Sequence, residues 1–383
     1  MTGQSGKIPL FERPLWPKFT LRPGGLAQDL SLLEEEEKLL ANKLNYIDPL
    51  FLDELRRMAL YDELIHSAGL DDEFIDPGEL QEVLAGRRLL PQYRPPRAGR
   101  PSPDDTNIFG NWLERRIELH LEVQASPGIP LTKGLFLGWY QALAAPGSLA
   151  GLGTYRPASF GPCPCRPGPE PLTLDRDPAV PADLIAREMD RFFSWFNSPW
   201  PGEPAVKAAL AHLRILIIRP FAAGSGQLAR LLAQMVLAGR KDTGLYLSLS
   251  RTMNLARAEY WQNFQEALYG DLDLTASVSR FLMTLIQAVR SAGRLLDSLI
   301  NKTIYWAKFR NYPLNQRQKN VLALLFDDFI GLITPRRYAE ITKCSDLTAE
   351  KEFNQLVSSQ LIQPKFLPPA SRDPKARPQD FRF

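Results

Sequence analysis

Residues Arg219–Arg230 read RPFAAGSGQLAR, and this stretch decides the fold. It joins two apolar helical runs, Pro204–Ile218 (PAVKAALAHLRILII) and Gly226–Ala238. Gly224, Ser225 and Gly226 stand at the start of the second run, where free N–H groups and the helix dipole favour an anion. Arg230 lies one turn inside and could point at the same place. The alternative is structural: the glycines serve only the turn, and Arg230 pairs with a surface carboxylate.

Further helical patterns extend outward from this centre. Upstream are Ser31–Leu60, Asp104–Gln124, Thr132–Ala145 and Pro181–Asn197, with apolar residues at helical spacing. Downstream are Ala256–Leu268 and Leu272–Phe309, the latter long enough for one extended helix or two. Proline punctuates the chain. Three stretches, Pro91–Pro103, Pro157–Pro181 and Pro364–Pro374, are too proline-rich for helix interiors. The C-terminal part changes character. Helices are expected at Asn315–Phe326, Ile333–Ile341 (started by Thr334-Pro335) and Asp346–Leu356 (capped by Ser345 or Asp346). Extended residues follow from Leu361, which is the outline of a winged helix.

The chain has 383 residues, with 46 basic against 43 acidic and a formal charge of +3. That balance gives no overall electrostatic case for nucleic acid or membrane. The apolar run Leu213–Val236 is interrupted by Arg214, Arg219, Gln227 and Arg230, so no membrane span is expected. The N-terminus lacks the apolar core of a signal peptide, and three cysteines fit a reducing compartment, so a cytoplasmic location is expected. Cys163 and Cys165 read as a loop thiol pair, because Cys344 is distant and no histidine is near.

RPFAAGSGQLAR resembles the Fic signature His-Pro-Phe-x-(Asp/Glu)-Gly-Asn-Gly-Arg-x-x-Arg, matching at Pro220, Phe221, Gly224, Gly226 and Arg230. Gly153-Thr154-Tyr155-Arg156 is similar to the segment that starts the family's target-docking flap. Arg257-Ala258-Glu259-Tyr260-Trp261 is similar to the family's Arg-x-x-Tyr-Tyr helix. Arg13–Phe19 (RPLWPKF) and the region after Leu314 resemble the two ends of long bacterial members, so the likeness runs from about Phe11 to Pro364. The resemblance implies a mostly α Fido (Fic/Doc) helical core with a short β-hairpin flap, plus a C-terminal winged-helix domain. The implied domains are residues 1–100, N-terminal and helical; 101–312, the Fido core; 313–365, the winged helix; and 366–383, a disordered tail.

The same resemblance assigns roles, and this chain departs from them. The family's general base, a histidine, is here Arg219, whose guanidinium is never deprotonated in proteins. The acidic metal ligand is Ala223, which has no oxygen to offer a cation, so no metal is expected. The asparagine is Ser225 and the first phosphate-binding arginine is Gln227. What survives for ATP or another phosphate ligand, without metal, is Gly224, Ser225, Gly226, Gln227 and Arg230. The family's inhibitory Ser-x-x-x-Glu segment falls at His66–Asp72, where Asp71 is the nearest substitute for the glutamate.

Three functions follow as expectations. The first is a pseudoenzyme, inactive in AMP transfer, that binds a phosphate or nucleotide and docks a protein partner on its flap. The second is an active Fic-type transferase that modifies a protein hydroxyl through non-standard residues. The third is a regulator with weak DNA binding through the winged helix. For the third, Glu350 and Glu352 on the recognition helix count against phosphate contact, and Arg336, Arg337 and Lys343 count for it. Long members of the family are often dimers, which makes a homodimer a candidate assembly.

Overall fold

The computed structural model describes residues 8–85, 87, 108–126, 128–144, 154–158, 179–240, 242–309, 312–326, 333–362, 364–365 and 380–381. Gly153, Cys163, Cys165, all of Pro91–Pro103 and most of Pro157–Pro181 lie outside the described residues. The described chain is mostly helical. In order come α1 (Ala27–Leu44), α2 (Pro49–Leu70), α3 (Pro77–Ala85), α4 (Ile108–Ala125), α5 (Lys133–Leu143), α6 (Ala182–Asn197) and α7 (Pro204–Ile218). Then follow α8 (Ser225–Ala238), α9 (Leu249–Leu255), α10 (Arg257–Leu268), α11 (Thr275–Lys308), α12 (Gln316–Phe326), α13 (Pro335–Thr342) and α14 (Asp346–Ser358). Among the described residues, the strands are a two-residue antiparallel pair, Pro364–Lys365 with Asp380–Phe381. The pairing of Asp380–Phe381 falls within the expected disordered tail. Thr154–Ala158, the described part of the expected flap, carries no strand.

Several boundaries move for local reasons. The expected run Ser31–Leu60 is two helices, broken at Asn45–Asp48, because Pro49 starts a new helix and cannot donate to an earlier turn. Leu272–Phe309 resolves into the single helix α11. Side-chain caps match the cap residues read from the sequence: Thr334 accepts from the Arg337 N–H, and Ser345 accepts from the Thr348 N–H.

Contacts divide the chain into two compact units, Met1–Leu295 and Leu296–Phe383, with the boundary inside α11. The first unit therefore takes in both the expected N-terminal domain, 1–100, and most of the expected core, 101–312. The reason is packing. The inner face of α2 lies on α9 and α8, and Trp16 of the RPLWPKF segment donates to buried Glu188 on α6 at 2.9 Å. The centre of this unit is α7, whose residues from Ala205 to Ile218 are buried except for the partly exposed Lys207, packed along α8. A second cluster joins Leu60, Leu64 and Ala68 of α2 to Leu80 and Leu84 of α3 and to Leu113 and Ile117 of α4.

The second unit has its own core. Tyr338, Phe353, Leu356 and Leu361 gather with Val321 and Leu322, and Tyr305 and Trp306 pack on them. The helical end of α11 therefore belongs to this unit, which starts upstream of the expected boundary at residue 313. Glu352 faces inward. It accepts from the Tyr338 hydroxyl at 2.7 Å and from Arg317, and hydrogen bonding by Arg317 holds its carboxyl below the usual range. Only Glu350 of the two α14 glutamates is thus presented outward. No described helix is long and apolar enough to cross a membrane.

Phe192 is fully buried and meets Phe193, Trp195 and Phe196 at 5.7–6.0 Å between ring centroids. Phe192→Ala is expected to cost about 3–5 kcal/mol, from lost transfer energy and the cavity left behind. Denaturant unfolding of the two proteins measures it.

Candidate functional site

The loop between α7 and α8 is set by its own residues. Pro220 has no N–H to continue α7, and Arg219 closes the helix in a left-handed conformation, φ 44°, with its N–H on the Ile215 carbonyl. Gly224 turns the chain back at φ 75°, a conformation that a side chain would strain, and α8 begins at Ser225. The Ser225 hydroxyl bridges the loop, accepting from the Phe221 N–H at 3.3 Å and donating to the Phe221 carbonyl.

Two sets of contacts fix this loop from outside. Arg156 holds its backbone: its N–H donates to the Pro220 carbonyl at 2.9 Å and its Nε–H to the Arg219 carbonyl at 2.8 Å, while Nη2 reaches the Val180 carbonyl. Burial, and then the neighbouring Arg219 charge, push the Arg156 pKa down. Phe221 anchors the loop by stacking. Its ring lies 3.6 Å from that of Tyr140, at 12° between planes, and is also near Phe136 and Tyr155.

The start of α8 is filled from the turn that follows α2. The Asp71 carboxylate accepts from the Gln227 N–H at 3.2 Å and lies 3.2 Å from Arg230 Nη2. Arg230 is fully buried. Its Nε–H donates to the Ser67 hydroxyl at 3.1 Å and its Nη2 to the Ser67 carbonyl at 2.8 Å. Burial opposes its charge, but Asp71, Tyr260 and Glu63 outweigh burial and hold its pKa above the ordinary value. Gly226 is required by this approach, since a Cβ there would lie 2.6 Å from Asp71 Oδ1. The expected anion position is thus taken by a carboxylate of the same chain. Arg230 points at it, so its partner is this inward carboxylate and not a surface one. Sequence reading named Asp71 only as a substitute; the Ser67-x-x-x-Asp71 spacing is the signal that ties it to Arg230.

One turn earlier on α2, Glu63 is buried under α8 and α9. It accepts from Ser248 Oγ at 3.0 Å, from the Ser250 N–H at 2.9 Å, and from Gln234 and Ser250 side chains. Burial pushes its carboxyl pKa up against those bonds. On the outer side, Arg257 donates to the Gly69 carbonyl and pairs with Asp72 at 2.8 Å. The segment that carries Asp71 is therefore held at both ends.

Not every donor in the loop is used. Arg219 is 4% exposed, its guanidinium lies 5.7 Å over the Phe264 ring, and its Nη1 and Nη2 have no protein partner. Gln227 Nε2 and Arg230 Nη1 are likewise buried without a partner. Ala223 brings no oxygen to the loop.

The histidines sit apart from Arg219. His212 lies two turns before it on α7, with Nε2 3.1 Å from the Tyr260 hydroxyl. His120 bonds the Arg116 carbonyl at 2.9 Å, and His66 bonds Asn254. Burial lowers the His212 pKa to about 3 and the His120 pKa to about 4. Both are held neutral.

A helical protein with a glycine-turned loop ahead of a buried arginine is what the fold and geometry define. Residues 144–237 match the model of the Fic/DOC family, and this part of the chain is a Fic/DOC family domain. Among curated proteins, a protein adenylyltransferase, fic-1 of Caenorhabditis briggsae, is 28% identical over 95 residues. That match spans 24% of this chain and 18% of the relative's length. Among solved structures, a Fic family protein from Desulfovibrio desulfuricans G20 aligns over 96% of this chain and 97% of its own, with TM-score 0.53 and 18% identity. A Fic domain containing signaling protein from Bacteroides thetaiotaomicron aligns over 71% of this chain and 96% of its own, with TM-score 0.49 and 15% identity.

Two outcomes are expected. Gly226→Ala pushes a methyl into the Asp71 carboxylate and should cost about 1–3 kcal/mol in unfolding experiments. Acidification should destabilise the protein through His212 and His120. Their folded-state pKa values lie below the ordinary 6.5, so the unfolded chain takes up protons that the folded chain refuses. That stability is complete above about pH 6.5 and declines as the pH falls toward about 4 and about 3. Between pH 6.5 and 5 each histidine contributes a loss of about 2 kcal/mol. His212→Asn should remove its share of the slope, read from unfolding midpoints across that range.

Proposed function

We propose that this protein is a Fic-domain pseudoenzyme that binds a nucleotide or other phosphate ligand without metal and does not transfer AMP. One observation carries the reading: Arg219, Gln227 and Arg230 hold four buried side-chain nitrogens without a partner around one loop. A buried donor left unsatisfied costs about 1–3 kcal/mol, more when charged, so an anion that satisfies it is bound favourably. The residues fit such a ligand and do not fit a divalent cation, since Ala223 replaces the acidic ligand that the family resemblance implies. Arg219 also stands where proton transfer would need a base, and the neutral His212 is committed to Tyr260 two turns away. The adenylyltransferase relative supports a nucleotide as the first ligand to try.

Asp71 regulates access in this reading. Its carboxylate occupies the α8 N-terminus and competes with the ligand for Arg230 and the Gln227 N–H. Opening the site means displacing an internal carboxylate from a buried arginine, so the resting affinity is low.

Thermal-shift titration with ATP, with and without magnesium, tests this on wild type, Asp71→Asn and Arg219→Met. Asp71→Asn should enlarge the ATP shift, with no need for magnesium. Arg219→Met should abolish it, while stabilising the ligand-free protein by about 1–3 kcal/mol because a buried unpaired charge is gone. Absence of any shift in both wild type and Asp71→Asn would refute nucleotide binding. Magnesium-dependent transfer of labelled AMP to a protein would refute the pseudoenzyme reading.

A further inference from the structure

A cavity of about 320 Å³ opens between α7, α10 and α11, with α9 closing one end. None of Arg219–Arg230 lines it, so it is separate from the anion loop. Its volume is within the range of small-molecule sites, about 300–1,000 Å³. Its walls are ordered by depth. Leu213, Leu216, Met253, Val278 and Phe281 form a buried apolar floor, whereas Glu259, Arg280, Met283 and Gln287 stand at an exposed rim.

One polar feature lies at depth, the buried His212 imidazole bonded to the Tyr260 hydroxyl. A phenolic oxygen accepts as well as donates, so the pair offers hydrogen bonding in either histidine tautomer. The imidazole is neutral, and no charged side chain shares the floor. Arg280 at the rim is committed to Glu266 and Asn263. The Arg230 charge reaches His212 and Tyr260 from behind the floor but is already paired with Asp71, so a charged group brought to the floor would lose its hydration without a free counter-ion. The surrounding faces are aromatic: His212 lies 5.8 Å from the Tyr260 ring and 5.6 Å from the Phe281 ring, with Phe264 beside them. Such walls select a flat ring.

We propose that this cavity binds an uncharged, flat heteroaromatic molecule whose N–H or O–H group meets the His212–Tyr260 pair. The body of the ligand stacks between the α7 and α11 walls and its outer edge reaches the polar rim. Phe264 lines the cavity and also carries the Arg219 guanidinium, so the site borders the anion loop without sharing its donors.

Methionine-methyl NMR on the full chain tests it, with indole as probe and benzothiophene as an isostere lacking the N–H. Met253 and Met283 line the cavity, and Met58, Met189 and Met235 do not. Indole should shift the Met253 and Met283 methyls saturably, with Kd below about 1 mM, and leave the other three in place. Benzothiophene should bind about five- to tenfold more weakly, the value of one hydrogen bond, and Tyr260→Phe should erase that preference. Ala256→Phe fills the wall and should abolish binding; Gln287→Trp at the exposed rim serves if that variant does not fold. No shift up to the solubility of indole, shifts spread over all five methyls, or unchanged binding in the filled variant would overturn the proposal. Asp71→Asn, which touches no residue of the cavity, should leave indole binding unchanged, so this test and that of the anion loop fail independently.

Discussion

The placement of the Asp71 carboxylate against Arg230 and the start of α8 is the constraint on which the rest of the site depends. Arg230 is fully buried, and a guanidinium there needs both a counter-charge and hydrogen-bond acceptors. Ser67 in the last turn of α2 and Asp71 in the turn just beyond it supply them. Helix α2 must therefore lie against α8. That requirement brings Glu63 under α9 and Arg257 over Asp72, and it joins the N-terminal helices to the central α7–α8 pair in one compact unit.

The loop itself shows a different balance. Its backbone is highly determined: Arg156 bonds two of its carbonyls, Ser225 bridges it, and Phe221 is stacked on Tyr140. Its side chains are not. Arg219 stacks on Phe264 but leaves two nitrogens unmatched in a buried place, and Gln227 leaves one. The loop is thus held in shape while several of its buried polar atoms lack a protein partner, and Ala223 brings no oxygen to it.

Much of this was legible in the chain. Pro220, Gly224, Gly226 and Arg230 mark the loop because each residue type answers a local demand: a helix stop, a left-handed turn, a close approach and a charge near a helix start. The caps Thr334 and Ser345 were readable for the same reason, since capping involves residues only three apart. Less was legible where a residue acts through distant neighbours. Glu352 looks like a surface charge on α14 in sequence, yet it is turned inward by Tyr338 and Arg317. Nothing in the spacing of His212, two turns before Arg219 on α7, shows that Tyr260 from another helix is its partner.

The sequence by itself determined most of the helices, the caps at Thr334 and Ser345, the glycine loop, and that Arg219 offers no base and Ala223 no oxygen there, because those depend on residue type and short spacing. Only the tertiary structure decided that Asp71 fills the start of α8, that Arg219 is buried on Phe264 with two nitrogens lacking a hydrogen-bond partner, and that α7, α10 and α11 leave a cavity around His212. These depend on which helix faces meet, and a long-range pairing such as Arg230 with Asp71 is set by the packing of two apolar faces and by the need to match a charge that packing has removed from water.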